Sequence, residues 1–175
     1  MVIRNPRYIR RMLAERRSRA ELKGCQFDSP ESFYDDFFSR IAQKCAVGKA
    51  DIKKWYFETY MRSMVEILRR SYKAYSWVLL ELTALREQGV KLAVYSDYGF
   101  AGEKLRAIGL DDNLFDMVAE APSFGALKPS ARPLHALASA LGVENSEILI
   151  KGDRIDTDGE GARRCGMQFQ LVGKR

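Results

Sequence analysis

Cysteine and histidine are scarce in this 175-residue chain, and their scarcity removes whole classes of chemistry. Cys25, Cys45 and Cys165 stand far apart with no Cys-x-x-Cys pair, so neither a disulfide framework nor a zinc site is indicated. Cys45 and Cys165 read as small core or near-core residues. A single histidine, His135, lies between Leu134 and Leu137 in a helical pattern; it cannot form a multi-histidine metal site and reads as structural. No apolar run approaches the length needed to span a bilayer, and the N-terminus is charged rather than organised as a signal peptide, which places the protein in the cytoplasm. There is no internal repeat and no low-complexity tract.

What is present describes a globular protein able to bury a real core: 46% apolar and 30% charged residues. The charge is uneven. Residues 1 to 24 hold Arg4, Arg7, Arg10, Arg11, Arg16, Arg17, Arg19 and Lys23 against Glu15 and Glu21, which accounts for the whole net excess of six. Such a basic helix can bind nucleic acid, an anionic membrane or a phosphorylated substrate, or be a solvated face. The solvated face is the reading favoured, and a nucleic-acid partner is not expected.

The hydrophobic period changes near Tyr75. Before it, three helices are predicted: one from Asn5 as N-cap to about Leu22, with Pro6 in its first turn and Gly24 past its end; one opening at Ser29-Pro30 and ended by Gly48; and one over about 50 to 70. Phe33, Phe37, Phe38, Ile41 and Cys45, then Ile52, Trp55, Tyr56, Tyr60, Met64, Ile67 and Leu68, recur at helical spacing and read as core. After Ser76 short apolar strands (90 to 95, 116 to 119, 147 to 151, 167 to 172) alternate with helices (77 to 88, 99 to 107, 130 to 141, 158 to 165), the pattern of a parallel sheet covered by helices.

Three of the segments following those strands carry polar groups. Ile148-Leu149-Ile150-Lys151-Gly152 runs into Asp153, and Asp158 follows about one helical turn later. Carboxylates at the exit of a buried strand are where a parallel sheet presents ligands to a metal. Taken alone, Asp153 and Thr157 read as caps of the next helix, with Gly152 making the turn. Ser96 ends the run from Val90 and, beside free backbone amides, suits a phosphate oxygen; alone it reads as a helix cap. Lys128 sits in the loop Gly125-Ala126-Leu127-Lys128-Pro129-Ser130, where Pro129 stops one element and Ser130 caps the next; a lone loop lysine is usually solvated. Together they place hydroxyl, ammonium and carboxylates along one sheet edge.

The order and spacing of Ser96, Lys128-Pro129 and Gly152-Asp153 with Asp158, Gly161 and Ala162 resemble the haloacid dehalogenase-like hydrolase superfamily over residues 75 to 172. The resemblance implies an α/β fold with a Rossmann-like parallel sheet core over 76–175 and an N-terminal helical cap over 1–75. It further implies a phosphatase acting on a small phosphorylated metabolite through an aspartyl-phosphate, Mg²⁺ as cofactor with Asp153 and Asp158 as ligands, and Ser96 and Lys128 as phosphate-binding catalytic groups. A dehalogenase or phosphomutase on the same scaffold, or a non-catalytic binding protein, are the alternatives. The superfamily's opening motif, an apolar strand ending in Asp-x-Asp-Gly-Thr, does not occur; Gln26-Phe27-Asp28-Ser29-Pro30 follows no apolar strand and reads as a helix start. No nucleophile is assigned, the central first-motif strand is expected to be missing, and the chain as written is expected to be inactive. Met1-Val2-Ile3-Arg4-Asn5-Pro6 resembles the text just after that motif. Without its central strand the sheet is expected to close up, fill the gap from elsewhere, or expose edges prone to self-association. Lys151 occupies a usually apolar position, and can either compete with a metal or face away.

Overall fold

Asn5 caps the first helix by accepting the Arg7 and Tyr8 amides on its side chain, and Pro6 supplies the fixed φ of a first turn. The structure, a computed structural model, describes residues 5–173; Arg4 of the basic stretch and the Met1-Val2-Ile3 text lie outside them. Helix α1 spans Pro6–Glu21, α2 Pro30–Cys45, α3 Lys49–Trp55 and α4 Arg62–Ser71. The last two were expected as one helix and form one rod, but Tyr56–Met61 between them is a π-helical turn. Helix α2 opens with a capping box between Ser29 and Ser32. It ends not at Gly48 but at Ala46, which takes the left-handed conformation (φ 53°), so that Gly48 becomes the N-cap of α3.

The remaining elements are α5 (Ser76–Glu87), β1 (Ala93–Ser96), α6 (Ala101–Ala107), β2 (Met117–Glu120), α7 (Ala131–Leu141), β3 (Leu149–Gly152), α8 (Glu160–Cys165) and β4 (Gln168–Leu171). Strand β1 starts later than its apolar run because the Leu92 amide donates to the Asp116 carboxylate (2.8 Å). Helix α8 starts later than expected because Ile155–Gly159 is another π turn. The parallel pairing forms two short sheets and leaves the gap expected of a core without its central strand: β1 pairs with β2, Ser96 opposite Glu120, and β3 with β4, Gly152 opposite Leu171. Strands β1 and β3 do not bond to each other, and no strand lies between them among the described residues. What joins the halves is Tyr95 of β1, whose ring packs on both apolar clusters.

The larger cluster belongs to the helical half. Phe33, Phe37, Ile41, Ile52, Tyr56 and Met61 are all fully buried, as their period implies, but Ile67, expected in the same stripe, is 56% exposed near the end of α4. The smaller cluster, Leu134, Ala138, Ala162, Cys165 and Met167, lies under α7 and α8. A backbone seam ties the halves: the Phe27 amide donates to the Gly125 carbonyl (2.8 Å), Gln26 and Ala126 form an antiparallel bridge, and Arg132 donates to the Phe27 carbonyl. Gly125 is required there, since its φ is +66° and a Cβ would meet the Phe27 oxygen at 2.5 Å. Ser130 stands at the N-cap of α7, but its hydroxyl accepts from Gln26 rather than capping the helix. His135 is a surface residue bonded to Asn145.

Candidate functional site

Ser96 closes β1, and its hydroxyl accepts from the Tyr98 amide (3.1 Å), which bends the chain sharply after the strand. That turn directs Asp97 inward. Its carboxylate accepts from the Lys128 backbone amide (2.9 Å), clamping the loop after β1 to the loop before α7. Burial pushes the Asp97 carboxyl above the usual range; the Lys128 amide and the positive charges of Lys128 and Arg19 oppose that shift without cancelling it. The Lys128 ammonium reaches the Asp158 carboxylate at 2.7 Å and lies 4.8 Å from the centre of the Tyr95 ring. Asp158, itself buried, also accepts from the Arg154 amide (3.2 Å).

Asp158 can lie so close to β3 only because residue 152 lacks a side chain: a Cβ there would stand 2.6 Å from Asp158 Cγ. The structure therefore brings Lys128 and Asp158 into contact, with Ser96 next in the chain to Asp97, which bonds Lys128. Asp153 stays apart, exposed at the strand exit. Neither it nor Thr157 makes the cap bond that a helix-start reading implies; Thr157 is buried in the π turn. Lys151 faces away and pairs with Glu81 on α5, so it does not compete at the site.

Two residues escaped sequence reasoning. Asp97 follows Ser96 directly and was passed over as part of a polar turn. Arg19 was counted with the solvated basic face, yet it is buried, its guanidinium donating to Glu15 (2.6 and 2.8 Å), Tyr56 (3.1 Å) and the Asp97 carbonyl (2.6 Å). The signal was available: Ala14, Glu15, Ser18, Arg19 and Leu22 share one helical stripe, and all are buried. Arg7, Arg10, Arg16 and Arg17 are exposed, as a solvated face requires.

The carboxylates here are the hard oxygen donors that Mg²⁺ prefers, but among the described residues they do not by themselves complete a site for it. Among the described residues no group of three His, Cys, Asp or Glu side chains is placed to hold a metal, and Asp158 is committed to Lys128 and the Arg154 amide.

A family model of haloacid dehalogenase-like hydrolases matches residues 20–172. The chain belongs to this family. Among relatives, a phosphoglycolate phosphatase of Aquifex aeolicus is 30% identical over 133 residues, covering 71% of this chain and 62% of that protein. A glyceraldehyde 3-phosphate phosphatase of Methanopyrus kandleri is 37% identical over 98 residues, 54% of this chain and 41% of its own length. The chain thus spans less than two thirds of these relatives. In fold it is similar to a β-phosphoglucomutase of Clostridium difficile (TM-score 0.64, 17% identity, 95% of this chain and 78% of that one). It is likewise similar to a haloacid dehalogenase-like phosphatase of Thermococcus onnurineus (TM-score 0.59, 21% identity, 82% and 78%). Among the described residues no helix is long and apolar enough to cross a membrane.

Proposed function

We propose that this chain is the phosphate-handling part of a phosphatase for a small phosphorylated metabolite, with helices α1–α4 as its cap. The observation that carries this reading is the Asp97–Lys128–Asp158 constellation beyond the C-terminal ends of β1 and β3, in a family whose matched relatives include the two phosphatases above. Lys128 offsets phosphoryl charge, and the Ser96 hydroxyl with the amides of its turn hydrogen-bonds a phosphoryl oxygen. The helical half excludes water from that space and contacts the leaving group. Mg²⁺ is implied by the family, and Asp153 and Asp158 are the carboxylates that would contribute to holding it. Bound there, the cation would offset phosphoryl charge.

The covalent step needs a carboxylate nucleophile, and no residue of this chain is assigned that role. The chain as written should bind phosphate without turning over p-nitrophenyl phosphate, with or without Mg²⁺. Calorimetric titration with inorganic phosphate should give weak binding that Lys128→Ala abolishes; unchanged affinity in that variant would overturn the reading. The closed Lys128–Asp158 pair also favours a second reading, a non-catalytic phosphate-binding protein. Turnover that Asp153→Ala removes would reject it and restore a complete enzyme.

A further inference from the structure

Arg19 is costly to bury: a guanidinium sheds its hydration only where donors and charge are matched. In helix α1 it is matched throughout. Glu15, fully buried one turn earlier, takes two of its bonds and also accepts from the Tyr60 hydroxyl (3.4 Å). The Phe37 ring of α2 lies 4.9 Å from the guanidinium carbon and the Tyr98 ring 4.1 Å, so the cation sits between an aromatic of the helical half and one of the loop after β1. Its remaining bond leaves the helical half altogether and reaches the Asp97 carbonyl. Asp97 in turn fixes the Lys128 amide, and Lys128 its partner Asp158. One hydrogen-bonded chain thus runs from α1 through two loops to the ammonium at the site.

We propose that Arg19 is a positioning residue, which holds the Asp97 turn against helix α1 and thereby sets the Lys128 loop, so that the seating of the helical half and the readiness of the phosphate site are one event. The bond to the loop carbonyl is part of how the cation is matched: Glu15 and Tyr56 take the bonds of Nε and Nη2, while Nη1 donates to the Asp97 carbonyl, so the burial of Arg19 and the docking of the Asp97 turn go together. This inference rests on the phosphate-site reading only for its consequence, not for the linkage itself.

The test separates the two. In Glu15→Leu/Arg19→Met the buried pair is replaced by apolar groups of similar volume, a change that folds well elsewhere. Amide hydrogen exchange is read at Lys128, and phosphate affinity by calorimetry. The expected result is native protection in α2–α4, a loss of protection at the Lys128 amide of roughly tenfold, the scale of one hydrogen bond, and weaker phosphate binding. Phe37→Leu, in the same layer, should lower stability without singling out Lys128. Should the double variant not fold, Arg19→Lys serves: it keeps the charge beside Glu15 but cannot span both Glu15 and the Asp97 carbonyl, and should give the same selective loss. Unchanged Lys128 protection in a folded variant would overturn the proposal. If phosphate affinity is also indifferent to Lys128→Ala, the phosphate reading fails while the amide result still decides the role of Arg19.

Discussion

The helical half and the β3–β4 half share a chain but not a degree of consolidation. In the first, Phe33, Phe37, Tyr56 and their neighbours form an aromatic network with ring centroids 5.1 to 6.3 Å apart, in which those three rings are sealed from water and Tyr8, Tyr34 and Phe57 are partly buried around them. In the second, the buried cluster is five residues, Leu149 and Leu171 are about half exposed, and α5 nearby buries no residue, with Leu80 at 71%. The difference is architectural. Packed helices bury most of their core against one another, whereas a parallel strand is covered only when flanked on both edges and both faces, and β3 has one paired edge among the described residues.

The comparison breaks first under core truncation. Phe37→Ala should lower stability by about 3–5 kcal/mol, while Leu149→Ala costs under about 1 kcal/mol, measured by urea titration. Equal losses would mean the two halves are held together as one core. Next, Gly152→Ala should drive Asp158 off β3 and away from Lys128, costing about 1–3 kcal/mol and weakening phosphate binding in calorimetry. Retention of both stability and affinity would show that the close approach is not needed.

Tyr95 sharpens the comparison at its boundary. Its buried hydroxyl has no hydrogen-bond partner among the described residues. Tyr95→Phe keeps the ring beneath Lys128 and removes that unmet group, so a gain of about 1 kcal/mol is expected in thermal unfolding. The smallest effect belongs to the surface of α8. Hydrogen bonds from Arg163 and Arg164 hold the Glu160 carboxyl down to about 2. A lowered folded value adds stability above the ordinary carboxylate range that is lost as pH falls toward 2. Glu160→Gln should therefore differ from the parent at pH 6 by a small, salt-sensitive amount that vanishes at pH 2, read from paired melting curves.

Much of this was legible in the chain. Strand-end polar residues announced Ser96, Lys128 and Asp158 because a βα repeat delivers successive strand exits to the same edge, and the helical periods located the aromatic core. The split into two sheets follows the gap read from the sequence, but which of the expected outcomes it takes was not legible, since periodicity reports that a strand is apolar but not which edge is paired. Arg19 and Glu15 were misread for another reason: charge patterns are scored as solvated unless the apolar stripe they interrupt is traced residue by residue. Ala46 ending α2 in place of Gly48 reflects the same locality, because Gly48 was needed at the start of the next helix.

The seam at Gly125 has a kinetic meaning. Gln26 and Ser130 meet across 104 residues, whereas the contacts of α1 with α2 and of α2 with α3 all fall within the first 71. Contacts of short reach assemble early and those that close long loops wait. As the chain emerges during synthesis, the helices can begin to pack before Ala126 exists, and their core closes only when Ala121 and Leu127 arrive with the loops around Lys128. The Phe27 carbonyl and amide are thus a template held open for a strand-like partner that arrives last.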